Sequence, residues 1–210
     1  MDKYDAPSDH YCYKGTFILK NKLEIKDSNT LEIAEREITE ITIERIKYHP
    51  PPYDLEYLKW IHHQLFSDLY SWAGCLRDVD ISKGRTRFCN FSRIDPEAKK
   101  IFHNLSKEKW LSESNKGQFC NRLAEYYCEL NMIHPFREGN GRVQRLFFEH
   151  LSLSAGYELD WTNISKEEWV NANIDGVYVN YQPMEKIFHR VVRNLWPPKN
   201  HFLIHKTKKQ

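Results

Sequence analysis

His134-Pro135-Phe136-Arg137-Glu138-Gly139-Asn140-Gly141-Arg142-Val143-Gln144-Arg145 joins two apolar helical patterns, and its reading decides what this chain folds around. Upstream, Phe119, Leu123, Tyr126, Tyr127 and Leu130 recur at helical spacing; downstream, Val143, Leu146, Phe147, His150 and Leu151 do the same and stop near Gly156. A Gly-Asn-Gly turn between two helices lets several backbone N–H groups converge, because glycine tolerates the positive φ such a turn needs. At a helix N-terminus those donors and the dipole bind an anion, phosphate above all. Arg142 and Arg145 stand one turn apart on one face, so both are expected to reach the same polyanion. Glu138 suits Mg²⁺, which takes few carboxylates and completes its shell with phosphate oxygens. His134 is the nearby side chain whose ordinary pKa lets it accept a proton near neutral pH. Together these residues describe a magnesium–nucleotide site with its own base, mounted on two rigid helices.

The chain of 210 residues has the length of one domain with a sizeable core. Lys and Arg total 31 against 29 Asp and Glu, a balance that favours neither nucleic acid nor an anionic membrane as partner. No apolar run approaches a membrane span, and the polar stretch Met1 to His10 does not resemble a secretory signal. The expected compartment is a reducing cytoplasm. Five cysteines, odd in number and without Cys-x-x-Cys pairing, fit reduced thiols. Cys89, among arginines in an expected hairpin, reads more readily as an ordinary small side chain than as a reactive thiol. His62 and His63 are adjacent on a helix, face different directions and do not form a zinc pair.

Around the motif the pattern is mainly α. Leu31, Ala34, Ile38 and Ile41 give an apolar face to a helix between Asn29 and Lys47, with Asn29 and Glu32 as its cap. After Pro50-Pro51-Pro52, Asp54 caps a second helix with Leu58, Ile61, Leu65 and Leu69 on one face, ending at Trp72-Ala73-Gly74. From Asp78 to Phe91 the period changes. Val79 and Ile81 alternate with polar residues, Lys83-Gly84 turns, and Thr86 and Phe88 resume the alternation, which predicts a β-hairpin. Asp95-Pro96 opens another helix through Ile101, Phe102 and Leu105, and Ser165 with Glu168 is a capping box for a later one. Met184, Ile187, Phe188, Val191, Val192 and Leu195 predict a last helix, stopped by Pro197-Pro198. The expected organisation is a flexible N-terminus 1–10, one helical domain 11–196 and a loose basic tail 197–210.

The motif resembles the signature of the Fic family, His-x-Phe-x-(Asp/Glu)-Gly-Asn-Gly-Arg-x-x-Arg. Every fixed position is matched, at His134, Phe136, Glu138, Gly139, Asn140, Gly141, Arg142 and Arg145. Tyr13 to Leu23, Ile61 to Gly74 and Ala155-Gly156-Tyr157 are also similar to bacterial Fic proteins, toxins of toxin–antitoxin pairs and modules of translocated effectors among them. The resemblance implies a single Fic-fold helical domain with a short hairpin flap. It also implies an enzyme that moves AMP from ATP to a hydroxyl of a target protein.

By that resemblance His134 is the base, Glu138 holds Mg²⁺, and the backbone N–H groups of Gly139, Asn140 and Gly141 cradle phosphate. The Asn140 side chain would add a donor, Arg142 would reach the β-phosphate region and Arg145 the γ-phosphate. Phe136 is expected to pack inward and lock the loop, while Arg137, at a variable position, is expected to be a solvated charge. The hairpin residues Val79, Ile81, Lys83, Gly84, Thr86 and Phe88 match the family's flap, which registers an extended target segment by strand-like pairing. The region Asn171 to Tyr181 is the expected adenine side. Family members are commonly restrained by a helix carrying (Ser/Thr)-x-x-x-Glu-(Gly/Asn), whose Glu pairs with the second motif arginine, here Arg145. Ser28 to Glu32 is followed by Ile33 and Ser154 to Glu158 by Leu159, so neither completes that signature and both read as ordinary helix residues. The resemblance thus implies a toxin-like enzyme with a separate antitoxin and a target such as a type II topoisomerase subunit. The alternatives it leaves open are a translocated effector acting on host GTPases, or a Fic fold with another donor or reaction: phosphorylation, other nucleotide transfer or AMP removal. A module that only binds nucleotide or a partner fits less well, because the full catalytic set is present.

Overall fold

The computed structural model describes residues 9–195, so the tail 197–210 and most of the expected flexible N-terminus lie outside the described residues. Within 9–195 the architecture is mainly α, 58% helical, with seven helices and small antiparallel strand pairs among the described residues. Two helices form the centre. α4, Lys116–Ile133, has Phe119, Cys120, Leu123 and Ala124 fully enclosed, while Arg122 and Glu125 keep one side of it towards solvent. α5, Asn140–Ala155, packs against it through Phe148, whose ring lies 5.1 Å from that of Tyr127, and Gln144, which donates to the Tyr127 carbonyl at 2.5 Å; it ends at Gly156, whose φ of 94° is the left-handed cap a glycine supplies.

The remaining elements surround this pair. α1, Ser28–Arg45, packs on α2, Leu55–Phe66, which in turn packs on α5. α3, Ile94–Lys107, lies against α4; α6, Lys166–Val177, and α7, Gln182–Val191, cover its other sides. The hairpin is shorter than the sequence pattern: β1, Ser82–Lys83, pairs with β2, Thr86–Arg87, around Gly84 at φ 56°. Ile81 and Phe88 extend the alternation inward, and Phe88 N–H donates to the Ile81 carbonyl at 3.2 Å.

Several expected boundaries move. Asp27, not Asn29, caps α1. The buried line of that helix is Leu31, Glu35 and Thr39, and Ile41 is exposed, because polar groups of α1 find partners inside. α2 stops at Phe66; Leu69 to Gly74 form tight turns that bury Leu69 and Tyr70. Asp95 is not a cap: α3 begins at Ile94 after a short turn capped by Asn90. The last helix ends at Val191, and β4, Val192–Asn194, pairs antiparallel with β3, Tyr157–Leu159, a second strand pair that β-branched Val192 and Tyr157 did not announce. Glu158 consequently stands on a strand, not at a helix end. Asp9 is bonded into the fold, so the expected flexible segment does not extend to it.

Candidate active site

α4 carries the chain to His134, which leaves the helix in the left-handed region at φ 48°, ψ 62°. A non-glycine residue rarely adopts that conformation, and here two bonds hold it: its N–H donates to the Leu130 carbonyl at 3.2 Å, and Nδ1 meets the Asn131 carbonyl at 3.0 Å. A carbonyl only accepts, so Nδ1 carries the proton and the ring's lone pair lies on Nε2. The imidazole is 8% exposed and stacks on Phe88 of the hairpin, ring centroids 3.8 Å apart. Burial pushes its pKa down to about 3, and the positive charge of Arg77 acts in the same direction. His134 is therefore neutral at pH 7, with a proton-accepting nitrogen.

Beyond His134 the loop is stapled from within. Both ends of the Asn140 amide bond to the backbone of Phe136: Oδ1 accepts its N–H at 2.9 Å and Nδ2 donates to its carbonyl at 2.7 Å. The Asn140 side chain thus shapes the loop. Phe136 is buried, as expected of an inward lock, and stacks on His62 at 4.0 Å. His62 accepts the Gly74 N–H at Nδ1, 2.7 Å, so its Nε2–H donates to the Glu138 carbonyl at 3.1 Å. The sequence reading had only excluded this histidine as a zinc ligand. Its burial, which holds its pKa near 3, keeps it in the one tautomer that supports the loop.

Glu138 is 6% exposed, with Oε1 accepting the Gly139 N–H at 2.9 Å. Gly139 has φ 81°, and a Cβ placed there would meet the Phe66 ring at 2.3 Å, so two independent constraints demand glycine. Gly141, already inside α5, faces open space at the helix N-terminus, where the backbone donors and dipole favour an anion. Among the described residues no group of three or more His, Cys, Asp or Glu could hold a metal alone. One buried carboxylate at a phosphate-ready helix end fits a cation that borrows most of its ligands from substrate oxygens.

The two motif arginines lead separate lives. Arg142 points back to α1 and α2, ion-paired with Glu35, donating to Thr39 Oγ1 at 3.3 Å and lying over the Phe66 ring at 4.8 Å. Arg145 is exposed and rests over Trp161 at 5.2 Å. They share a helix face but do not converge on one point in this structure. Arg137, expected in solvent, is fully buried and donates through Nε to Asp9 at 2.9 Å, tying the segment ahead of α1 to the loop. The variable position of the signature is here a structural one.

Sequence reasoning missed Arg77 altogether. Its buried guanidinium donates to the carbonyls of His134 at 2.8 Å, Val79 at 2.6 Å, Cys89 at 2.5 Å and Ile133 at 3.2 Å, and its N–H to Pro135 at 2.9 Å. One side chain therefore binds both stems of the hairpin to the catalytic loop. Nothing in its sequence surroundings marks it except its place after Trp72-Ala73-Gly74. Of the flap residues, Ile81 and Phe88 are buried and Val79 packs with them, while Lys83, Gly84, Arg85 and Arg87 are exposed and Thr86 is half-buried. Cys89 lies just past the hairpin with its thiol pKa raised by burial, in keeping with an ordinary side chain. A surface cleft between α6 and α7 begins in the region expected to hold adenine, but Glu167, Glu168 and Asp175 line it and no motif residue does.

The family model for the Fic/DOC family matches residues 52–152, spanning α2 through most of α5. The probable protein adenylyltransferase Fic of Escherichia coli strain K12 is 42% identical over 191 residues, 91% of this chain and 96% of that protein. The chain belongs to the Fic/DOC family. Protein adenylyltransferase VbhT of Bartonella schoenbuchensis is 36% identical over 90% of this chain, which spans only 40% of that longer protein. Among solved structures, the BepC protein of Bartonella tribocorum with bound AMPPNP superposes with a TM-score of 0.81 at 31% identity, covering 88% of this chain and 96% of that one. This Fic-family chain is an enzyme of the protein adenylyltransferase class.

Proposed function

We propose that the chain moves AMP from Mg²⁺-bound ATP onto a hydroxyl side chain of a target protein, with His134 as the base. The observation that carries the reading is the state of that histidine: buried, neutral, with Nδ1–H held by Asn131, and set between the hairpin and the N-terminus of α5. A target hydroxyl gives its proton to Nε2, its oxygen attacks the α-phosphorus, and the bond to pyrophosphate breaks. Glu138 would hold the cation, which supplies charge neutralisation at the phosphates. The N–H groups at the start of α5 cradle the anion, Arg142 serves the β-phosphate region, and Arg145, exposed over Trp161, serves the γ-phosphate. Positioning and charge are most of what such a transfer asks of a protein.

The family resemblance of the motif favours a toxin-like role, with a separate antitoxin supplying the (Ser/Thr)-x-x-x-Glu-(Gly/Asn) helix. The target is then a bacterial protein such as a type II topoisomerase subunit, met in the cytoplasm. Bartonella effector modules share the fold, which favours translocation and a host GTPase as the second reading. Under either, the hairpin holds an extended target segment, and its Lys83, Arg85 and Arg87 suit an acidic one. Incubation with labelled ATP in a bacterial lysate, followed by mass spectrometry of the labelled protein, tests the proposal. An added AMP is expected; a bare phosphate overturns it. His134→Ala is expected to slow transfer about 10²–10⁴-fold while ATP still binds.

A further inference from the structure

Glu35 sits on α1, 107 residues before Arg142, and is 4% exposed. Its carboxylate is divided between two partners: Oε1 ion-pairs with Arg142, and Oε2 accepts the Tyr70 hydroxyl at 2.5 Å. One turn further, Thr39 Oγ1 donates to the Glu35 carbonyl at 2.8 Å and accepts from Arg142 at 3.3 Å. The guanidinium is thus gripped at one edge by α1 and on one face by Phe66, while its side chain keeps 28% exposure. Glu138, four residues before Arg142, precedes the N-cap of α5. The Arg142 Nη2 that meets Glu35 also lies 3.6 Å from Glu138 Oε1, a looser ion pair than the one to Glu35.

We propose that Glu35 is a positioning residue of the phosphate site: it anchors Arg142 from behind and so fixes where the guanidinium meets the phosphates. The inference rests on the nucleotide reading above and assigns α1 a part in it. A buried acid on a helix outside the motif is the kind of outer support that fixes a charged ligand's direction. Tyr70 in turn fixes Glu35, so the order of support runs from Tyr70 to Glu35 to Arg142.

The test is calorimetric binding of ATP to the full chain with Mg²⁺ and without it, for wild type, Glu35→Gln, Arg142→Ala and the double variant. Glu35→Gln is expected to weaken ATP binding about tenfold, both with Mg²⁺ and without it. In the Arg142→Ala background the same change is expected to do nothing further, because Glu35 acts through that arginine. Tyr70→Phe, which removes one hydroxyl and keeps the ring, is expected to weaken binding in the same direction by a smaller factor. Tighter binding or faster transfer in Glu35→Gln overturns the proposal, since Glu35 would then be a brake on Arg142. An equal loss in both backgrounds also overturns it, as the sign of a role independent of Arg142. Failure of the wild-type chain to bind ATP defeats the nucleotide reading itself, a result distinct from both.

Discussion

Gly139 shows how closely the site's chemistry and its packing are joined. Its φ of 81° lets the loop turn into α5, and the Phe66 ring occupies the space a side chain would take. The same ring lies under Arg142, so displacing it disturbs a phosphate ligand as well as the core. Gly139→Ala must accept a left-handed alanine and move an aromatic ring from contact at 2.3 Å. Left-handed strain costs about 1–2 kcal/mol, and overpacking a rigid site roughly 1–3 kcal/mol more. Thermal melts followed by circular dichroism should show the variant less stable by about 2–5 kcal/mol, with AMP transfer nearly lost; an unchanged midpoint would mean that the Phe66 contact gives way without cost. Phe88 illustrates the complementary case. It contributes no chemistry, but by stacking on His134 it keeps water from the imidazole and so keeps it neutral.

At the level of elements, the hairpin is too short to hold itself, since two residues per strand give little pairing energy. Arg77 holds it instead, binding Val79 and Cys89 on the hairpin side and Ile133 and His134 on the loop side. Arg77→Lys keeps the charge but cannot reach these carbonyls with one ammonium, because the planar fork is what spans them. The variant should raise KM for the target protein and lower kcat about 10–100-fold, while leaving ATP affinity within about twofold; hydrogen exchange across residues 79–89 should speed up. A uniform loss of ATP and target binding would place Arg77 in general stability instead. These elements also mark what the sequence made legible. The two central helices, the Ser165 cap of α6 and the hairpin's position follow from periodicity and local caps, which are short-range signals. Glu35, Arg77 and Arg137 do not, because a charged residue reads as solvent-facing until its partner is known, and the partners lie far along the chain. The motif gave the reacting groups; the buried charges that hold them became visible only with the fold. Likewise β3 and β4 pair residues more than thirty positions apart, and three-residue strands carry too few side chains to show alternation.

For the molecule as a whole, the consequence of burying polar groups around the loop is a distinctive response to acid. His62, His134 and His150 are all enclosed, and burial depresses their pKa values to about 3, 3 and 4. In the unfolded chain each returns to about 6.5. Between these values the unfolded state binds protons that the folded state refuses, so stability is fully present above pH 6.5 and falls as the pH drops through 6 and 5. At pH 5.5 each histidine should cost roughly 1 kcal/mol relative to neutral pH. Carboxylates such as Asp80 and Glu108, whose pKa values are lowered by bonded partners, titrate lower and extend the loss at more acid pH. Denaturant melts at pH 7.5, 6.5 and 5.5 should therefore show a steady decline in unfolding free energy with little change in slope. His150→Gln, at a position outside the motif where Nδ1 meets the Tyr57 hydroxyl at 2.5 Å, removes one of the three titrations. If burial of neutral histidine is the cause, that variant should lose about a third less stability between pH 7.5 and 5.5 than wild type does; an identical decline would assign the acid sensitivity to the carboxylates instead.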